Sequence, residues 1–202
     1  YTYLGLNQVL KVSYGQPQVD LTYLKQNGEG NGDAGDQYTG LDRFGRVEDQ
    51  RWLKGANAVE RVKHGFSRAS DRKWRENLVA TSGQDEYYTY DGLYQLTNRD
   101  RGDLNTGKTA IDGTPAREED FTLDPTGNWT AYVIKSGGST DLSQTREHNK
   151  ANETTKLDDA TTYVAYNAVG NMTKTPKPSA WNQAFDLKYD AWNRLVKVED
   201  GG

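Results

Sequence analysis

The sequence predicts an all-β chain assembled from consecutive antiparallel β-hairpins. Three observations carry that prediction. Aliphatic side chains are scarce and are replaced by Tyr and Trp, a seven-residue phrase recurs along the chain, and apolar residues alternate with period two before each copy of it.

Leu, Ile, Val and Phe together number 34 of 202 residues, about 17%. A share under ~20% signals disorder only when it accompanies a large net charge. Here 25 basic and 29 acidic side chains leave a net charge of −4. The 13 Tyr and 5 Trp supply the missing buried area while keeping a polar tip. An ordered chain follows. No apolar run approaches the ~18 residues of a membrane span, and the N-terminus does not read as a signal peptide. Opening on Tyr1 rather than Met suggests a processed or excised piece. With no Cys there are no disulfides, thiolate metal sites or cysteine nucleophiles. A pI near 5.3 with mixed-sign charge provides no general field for nucleic acid.

The phrase is an aromatic residue or Leu, a small polar residue, two variable residues, Gly or Asn, a polar residue, and an apolar one. Its clearest copies are Tyr90-Asp91-Gly92-Leu93-Tyr94-Gln95-Leu96 and Tyr189-Asp190-Ala191-Trp192-Asn193-Arg194-Leu195. The same frame holds Leu41, Asp42, Gly45 and Arg46; Leu123, Asp124 and Gly127; and Tyr166 and Gly170. Weaker copies begin at Tyr3, with Asn7 at the fifth position, and at Phe66, with Ser70 there. The first positions, 3, 41, 66, 90, 123, 166 and 189, define a unit of about 24 residues. The longer gaps hold insertions or a decayed copy.

Each part of the phrase has a physical role in a hairpin. Alternation such as Val62, His64, Phe66 and Phe185, Leu187, Tyr189 marks the incoming strand. Asp accepts hydrogen bonds from backbone N–H groups two residues on and starts a turn. Gly or Asn at the fifth position supplies the left-handed conformation that closes a type I turn with a bulge. Ser70 and Tyr94 break that rule and predict altered turns.

On these residues the chain resembles the YD-repeat (RHS) family, most closely in Tyr189-Asp190-x-x-Asn193-Arg194-Leu195 and Tyr90-Asp91. The resemblance runs from Tyr3 to Asp200. It implies an array of YD-repeat hairpins over residues 1–202, wound as a spiralling sheet, shell or barrel-like wall. The family includes bacterial polymorphic toxins, the cocoon component of insecticidal toxin complexes, and animal teneurins. The resemblance also implies an exported, extracellular or cell-surface location. Some members cut themselves near an Asp-Pro-x-Gly-Leu motif. Asp124-Pro125-Thr126-Gly127 is similar, but Asn128 stands in place of Leu and more repeats follow, so an ordinary Pro turn is the better account.

Three segments resist the repeat and read as loop-like insertions: 26–37, 99–119 and 135–159. The first is Gly-rich and flexible, and its Asn and Glu spacing lacks the bidentate acid of a calcium loop. The basic run Arg68 to Arg75 reads as a polar strand face around Trp74.

The chemistry inventory is thin. His64 and His148 have no metal-ligand spacing, and no nucleophile elbow or phosphate loop appears. The Asp residues of the repeats are explained by their turns. No catalytic, cofactor or metal residue is assigned, and the chain is read as a non-enzyme. The leading function is a structural wall segment acting as shell, stalk or self-associating fibre. Its partners are other YD-repeat segments or copies of itself, met through strand edges. The alternative is an adhesion module binding surface glycans through outward Tyr and Trp.

Overall fold

The structure, a computed structural model, describes residues 1–158, 163–178 and 180–201. Among these residues every regular element longer than a single turn is a strand, and none is a helix. The first eight are β1 (Thr2–Leu4), β2 (Gln8–Tyr14), β3 (Val19–Thr22), β4 (Asp49–Lys54), β5 (Asn57–Phe66), β6 (Arg72–Asn77), β7 (Asp85–Tyr90) and β8 (Leu96–Gly102). The rest are β9 (Arg117–Leu123), β10 (Trp129–Ser136), β11 (Ser139–His148), β12 (Thr154–Leu157), β13 (Ala165–Tyr166), β14 (Met172–Lys177), β15 (Ala180–Tyr189) and β16 (Leu195–Asp200). Strand order follows chain order, β1 to β12 in one sheet and β13 to β16 in a second. The fold is all-β, built of antiparallel hairpins.

The chain forms two compact units, Tyr1–Tyr90 with Arg99–Glu118, and Asp91–Asn98 with Glu119–Gly202. In the first, Leu10, Val12, Leu41, Val62, Tyr88 and Ile111 are buried. Charge does the rest. Asp49, Arg51, Arg61 and Lys63 share one face, because Asp49 pairs with Lys63 and Arg51 with Arg61 across β4 and β5. Arg51 and Asp49 are only 3% and 4% exposed. Asp49 Oδ2 accepts from Arg51 and from Arg61, both at 2.7 Å. A buried ion pair stabilises only when its remaining donors are satisfied. Glu29 meets part of that need, accepting from Arg51 Nη1 at 2.8 Å, while Arg51 Nε has no hydrogen-bond partner among the described residues.

Glu29 lies in the 26–37 segment, which the sequence predicts to be a flexible loop. The segment contains no strand, yet it is tied down. Lys25 N–H donates to the Gln37 carbonyl at 2.8 Å, and Gln26 N–H to Glu29 at 2.9 Å. Ionic contacts at long range hold it, and local composition does not show them.

Close backbone approaches in this unit depend on Gly. A Cβ at Gly40 would lie 2.5 Å from the Asp49 carbonyl oxygen and 2.6 Å from Tyr23 Cα. At Gly65 it would strike the Trp74 indole, which lies over the glycine opposite it in β6. An aromatic ring covering a strand glycine restores packing that the glycine lacks.

In the second unit Phe121, Trp129 and Tyr132 form a ring cluster with centroids 5.0 to 5.2 Å apart. Such pairs contribute ~0.5–1.5 kcal/mol each beyond area burial. The Arg146 guanidinium sits 5.0 Å from the Trp129 ring centre, and Ala184 of β15 is buried.

The insertions predicted at 99–119 and 135–159 are corrected. The first contains the end of β8 and the start of β9; the second contains the end of β10 and all of β11 and β12. Residue 159 lies outside the described residues. These strands escape hydrophobic-pattern reading because both their faces are polar. β11 reads Ser-Thr-Asp-Leu-Ser-Gln-Thr-Arg-Glu-His, and cross-strand hydrogen bonds with threonine and charge pairs replace apolar contacts.

Candidate functional site

The feature that recurs in this molecule is a turn. At Asp42, Asp91, Asp124, Asn149, Asn167 and Asp190 the first residue donates its N–H to the carbonyl four residues on, at 2.9–3.0 Å. Its own carbonyl accepts from the N–H three residues on, at 2.9–3.2 Å. Its Oδ1 accepts two further N–H groups, two and four residues on, at 2.8–3.1 Å. One carboxylate or amide oxygen thus satisfies two donors that no strand reaches. Ser67 does the same with Oγ, at 3.1 Å to Ala69 and to Asp71.

The residue three on is left-handed in all seven, with φ of 77° at Gly45, 73° at Ser70, 61° at Tyr94, 87° at Gly127, 63° at Asn152, 86° at Gly170 and 60° at Asn193. Ser70 and Tyr94, predicted to sit in altered turns, keep the common pattern. The side-chain acceptor holds the frame even where the left-handed residue is not glycine, at ~1–2 kcal/mol of steric cost.

The residues singled out in the sequence fall around this frame. Phe66, Tyr90, Leu123, Tyr166 and Tyr189 end odd-numbered strands, and Leu96 and Leu195 begin even-numbered ones. Leu41 forms an isolated bridge with Val47. A register shift stands immediately before Phe66, Tyr166 and Tyr189. Asp42, Gly45, Arg46, Asp91, Asp124, Gly127, Gly170, Asp190, Asn193 and Arg194 are turn residues of the frame.

Tyr3 and Asn7 depart from it. Tyr3 is in β1, but the turn between β1 and β2 is left-handed at Gly5, with φ 62°, and not at Asn7. Leu4 occupies the place of Asp there, so no side chain accepts the inner N–H groups. Gly5 then takes positive φ at least cost. In the other direction, sequence reading missed a copy. His148-Asn149-Lys150-Ala151-Asn152-Glu153-Thr154 has the full frame, beginning 25 residues after Leu123.

Neighbouring turns are linked. In three of them the side chain following the left-handed residue donates to the left-handed residue of the next turn. Arg46 Nη1 donates to Ser70 Oγ at 3.1 Å and to the Ser67 carbonyl at 3.2 Å. Asn128 Nδ2 donates to Asn152 Oδ1 at 3.0 Å, and Asn171 Nδ2 to Asn193 Oδ1 at 2.9 Å. Here the non-glycine residues at strained positions earn a contact that Gly could not make.

The electrostatics agree with this geometry. At Asp42 burial pushes the carboxyl up, but bonds from the Arg46 and Phe44 N–H groups and the Arg46 guanidinium hold it below the usual range. Bonds from Thr126 and Asn128 lower Asp124 well below it, and the Arg194 guanidinium and N–H lower Asp190. Such carboxylates are committed acceptors, a poor state for acid–base work. His64 is half-buried in β5, its Nε2 has no hydrogen-bond partner, and burial with Arg72 and Arg75 nearby lowers it to about 4. No group of three His, Asp or Glu among the described residues is placed to hold a metal. Among the described residues no helix is long and apolar enough to cross a membrane.

These observations define a class: an all-β hairpin protein in which seven turns between odd and even strands are copies of one side-chain-organised frame. No family model matches the chain, and no curated protein matches it in sequence. Among solved structures it is similar in fold to a chain of the Photorhabdus luminescens Tc holotoxin pore, with a TM-score of 0.67 and 16% identity. That match covers 98% of this chain and 9% of the other, so this chain spans less than a tenth of its neighbour's length.

Proposed function

We infer that this chain is a segment of a YD-repeat β-wall with a structural role, as shell, stalk or self-associating fibre of an exported protein. The observation that carries the reading is the turn frame, repeated seven times and joined copy to copy by side-chain hydrogen bonds. A protein whose recurring side-chain chemistry joins one hairpin to the next is built to extend a surface. The likeness in fold to part of a toxin assembly supports the same reading. No catalytic step is assigned to it.

The role predicts association through strand edges. The last described strand, β16, exposes Leu195, Val196 and Val198 at 50%, 61% and 54%. A free edge with apolar side chains is a template for another strand. Light scattering and electron microscopy of the purified chain are expected to show end-to-end oligomers that grow with concentration. A strict monomer at high concentration would overturn the self-association.

A further inference from the structure

Between the turns at Asp42 and Ser67 lies a groove of about 480 Å³, lined by Phe44, Arg46, Phe66, Ser67, Arg68 and Ser70. We propose that this groove is a binding site for a small aromatic carboxylate. It does not rest on the wall reading, since Phe44 and Arg68 are side chains that the turn frame does not need.

The volume falls in the range of small-ligand sites, and such sites combine apolar walls with a few converging polar groups. Two Phe rings provide the walls. The Phe44 side chain is held out at the turn tip, 75% exposed, although nothing in the frame requires a large apolar residue there. Ala69, Thr126 and Ala151 fill the same position in other turns, while Leu93, Val169 and Trp192 are exposed there like Phe44.

The polar groups are cationic. Arg46 is fixed by five contacts: Nε to Asp42 at 2.5 Å, Nη1 to the Ser67 carbonyl and Ser70 Oγ, and its guanidinium carbon 5.2 and 4.7 Å from the Phe44 and Phe66 ring centres. Its Nη2 has no protein hydrogen-bond partner among the described residues. Arg68 is exposed and forms no ion pair among them. A cation already locked in one rotamer binds an anion without the ordering cost of a free arginine. A guanidinium also presents paired donors that match a carboxylate. No carboxylate lines the groove, and the Asp42 side chain, 2% exposed, is turned into its own turn. With Arg46 paired to Asp42, the net positive charge of the groove comes from Arg68, beside aromatic walls. The ligand it fits carries an aryl ring and one carboxylate separated by a short link.

The test uses the full chain and phenylacetate as probe, followed by two-dimensional NMR. Saturable shifts are expected at the amides of Ser67 to Ser70. Phenylacetamide, which lacks the charge, and acetate, which lacks the ring, should each bind at least about tenfold more weakly. Phe44→Ser and Arg68→Gln should each weaken phenylacetate about tenfold while leaving the urea midpoint in place, because both side chains are exposed. The proposal is overturned if phenylacetate shifts no amide in that segment up to its solubility limit. It is equally overturned if the amide binds as well as the acid, or if both variants bind like the parent chain.

Discussion

The two edges of this molecule solve one problem differently. Turns joining odd to even strands use a side-chain acceptor: seven of them share one hydrogen-bond pattern and one left-handed position. Connections joining even to odd strands are heterogeneous. Lys54 and Asn57 pair around Gly55-Ala56, with Gly55 at φ 63°, whereas Ser136 and Ser139 pair around Gly137-Gly138, both left-handed at 54° and 82°. Those two-residue turns need glycine conformations and no side-chain bond. Others are long, such as 78–84 and 103–116. A turn made by a side chain leaves a trace in the sequence; a turn made by backbone leaves only Gly, which many segments share.

The largest expected effect probes a backbone approach. Gly40→Ala puts a Cβ against Asp49 O and Tyr23 Cα, and one of them must move. A loss of about 3 kcal/mol in urea denaturation is expected, since overpacking against backbone has no flexible partner to yield. A loss under about 1 kcal/mol would show that the segment relaxes.

Next comes the side-chain acceptor. Asp42→Ala removes two N–H acceptors and the partner of Arg46 at a site 7% exposed. A cost of about 2–3 kcal/mol is expected. Asp42→Asn, the residue already used at Asn149 and Asn167, should recover more than half of it. Equal losses in both variants would mean that charge, and not the acceptor geometry, makes the turn.

A third effect depends on pH. His64 titrates at about 4 in the folded chain against an ordinary value near 6.5, because burial and then Arg72 and Arg75 disfavour its charged form. The folded state therefore binds fewer protons in that window. Stability from neutral His64 is complete above about pH 6.5 and declines as pH falls toward 4. The size is ~1–2 kcal/mol after solvent screening. His64→Leu should flatten the stability profile between pH 6.5 and 4; an unchanged slope would assign it to other groups.

The smallest effect tests strain. Tyr94 is left-handed at φ 61° and 64% exposed, so Tyr94→Gly relieves steric cost and gives up little packing. A gain of about 0.5–1 kcal/mol in thermal or urea unfolding is expected. A loss would reveal a contact made by the tyrosine ring that outweighs the strain.

The same contrast explains what the sequence disclosed. All-β architecture and the hairpin turns were legible because Asp and Gly or Asn recur at fixed offsets. The copy at Asn149 was not, since His148 replaces the usual aromatic or Leu, Asn replaces Asp, and Thr154 replaces the apolar seventh residue. Its Asn149 and Asn152 spacing, one period after Leu123, was the available signal. The Glu29, Asp49, Arg51 and Arg61 cluster had none, because a Gly-rich loop and two strands contribute it from distant positions. At the first hairpin the reading of Asn7 failed for a physical reason: Gly5 was a cheaper place for positive φ.

The bonds between neighbouring turns have a sense of direction. The donor lies in the earlier turn and the acceptor in the later one, from Arg46 to Ser70, Asn128 to Asn152 and Asn171 to Asn193. Every such turn therefore has a giving side and a receiving side that differ. Two copies meeting through a two-fold axis would set giver against giver, whereas head-to-tail contact matches them. Copies associating by the contact proposed above would keep this sense by adding head to tail, which leads to rings or open filaments.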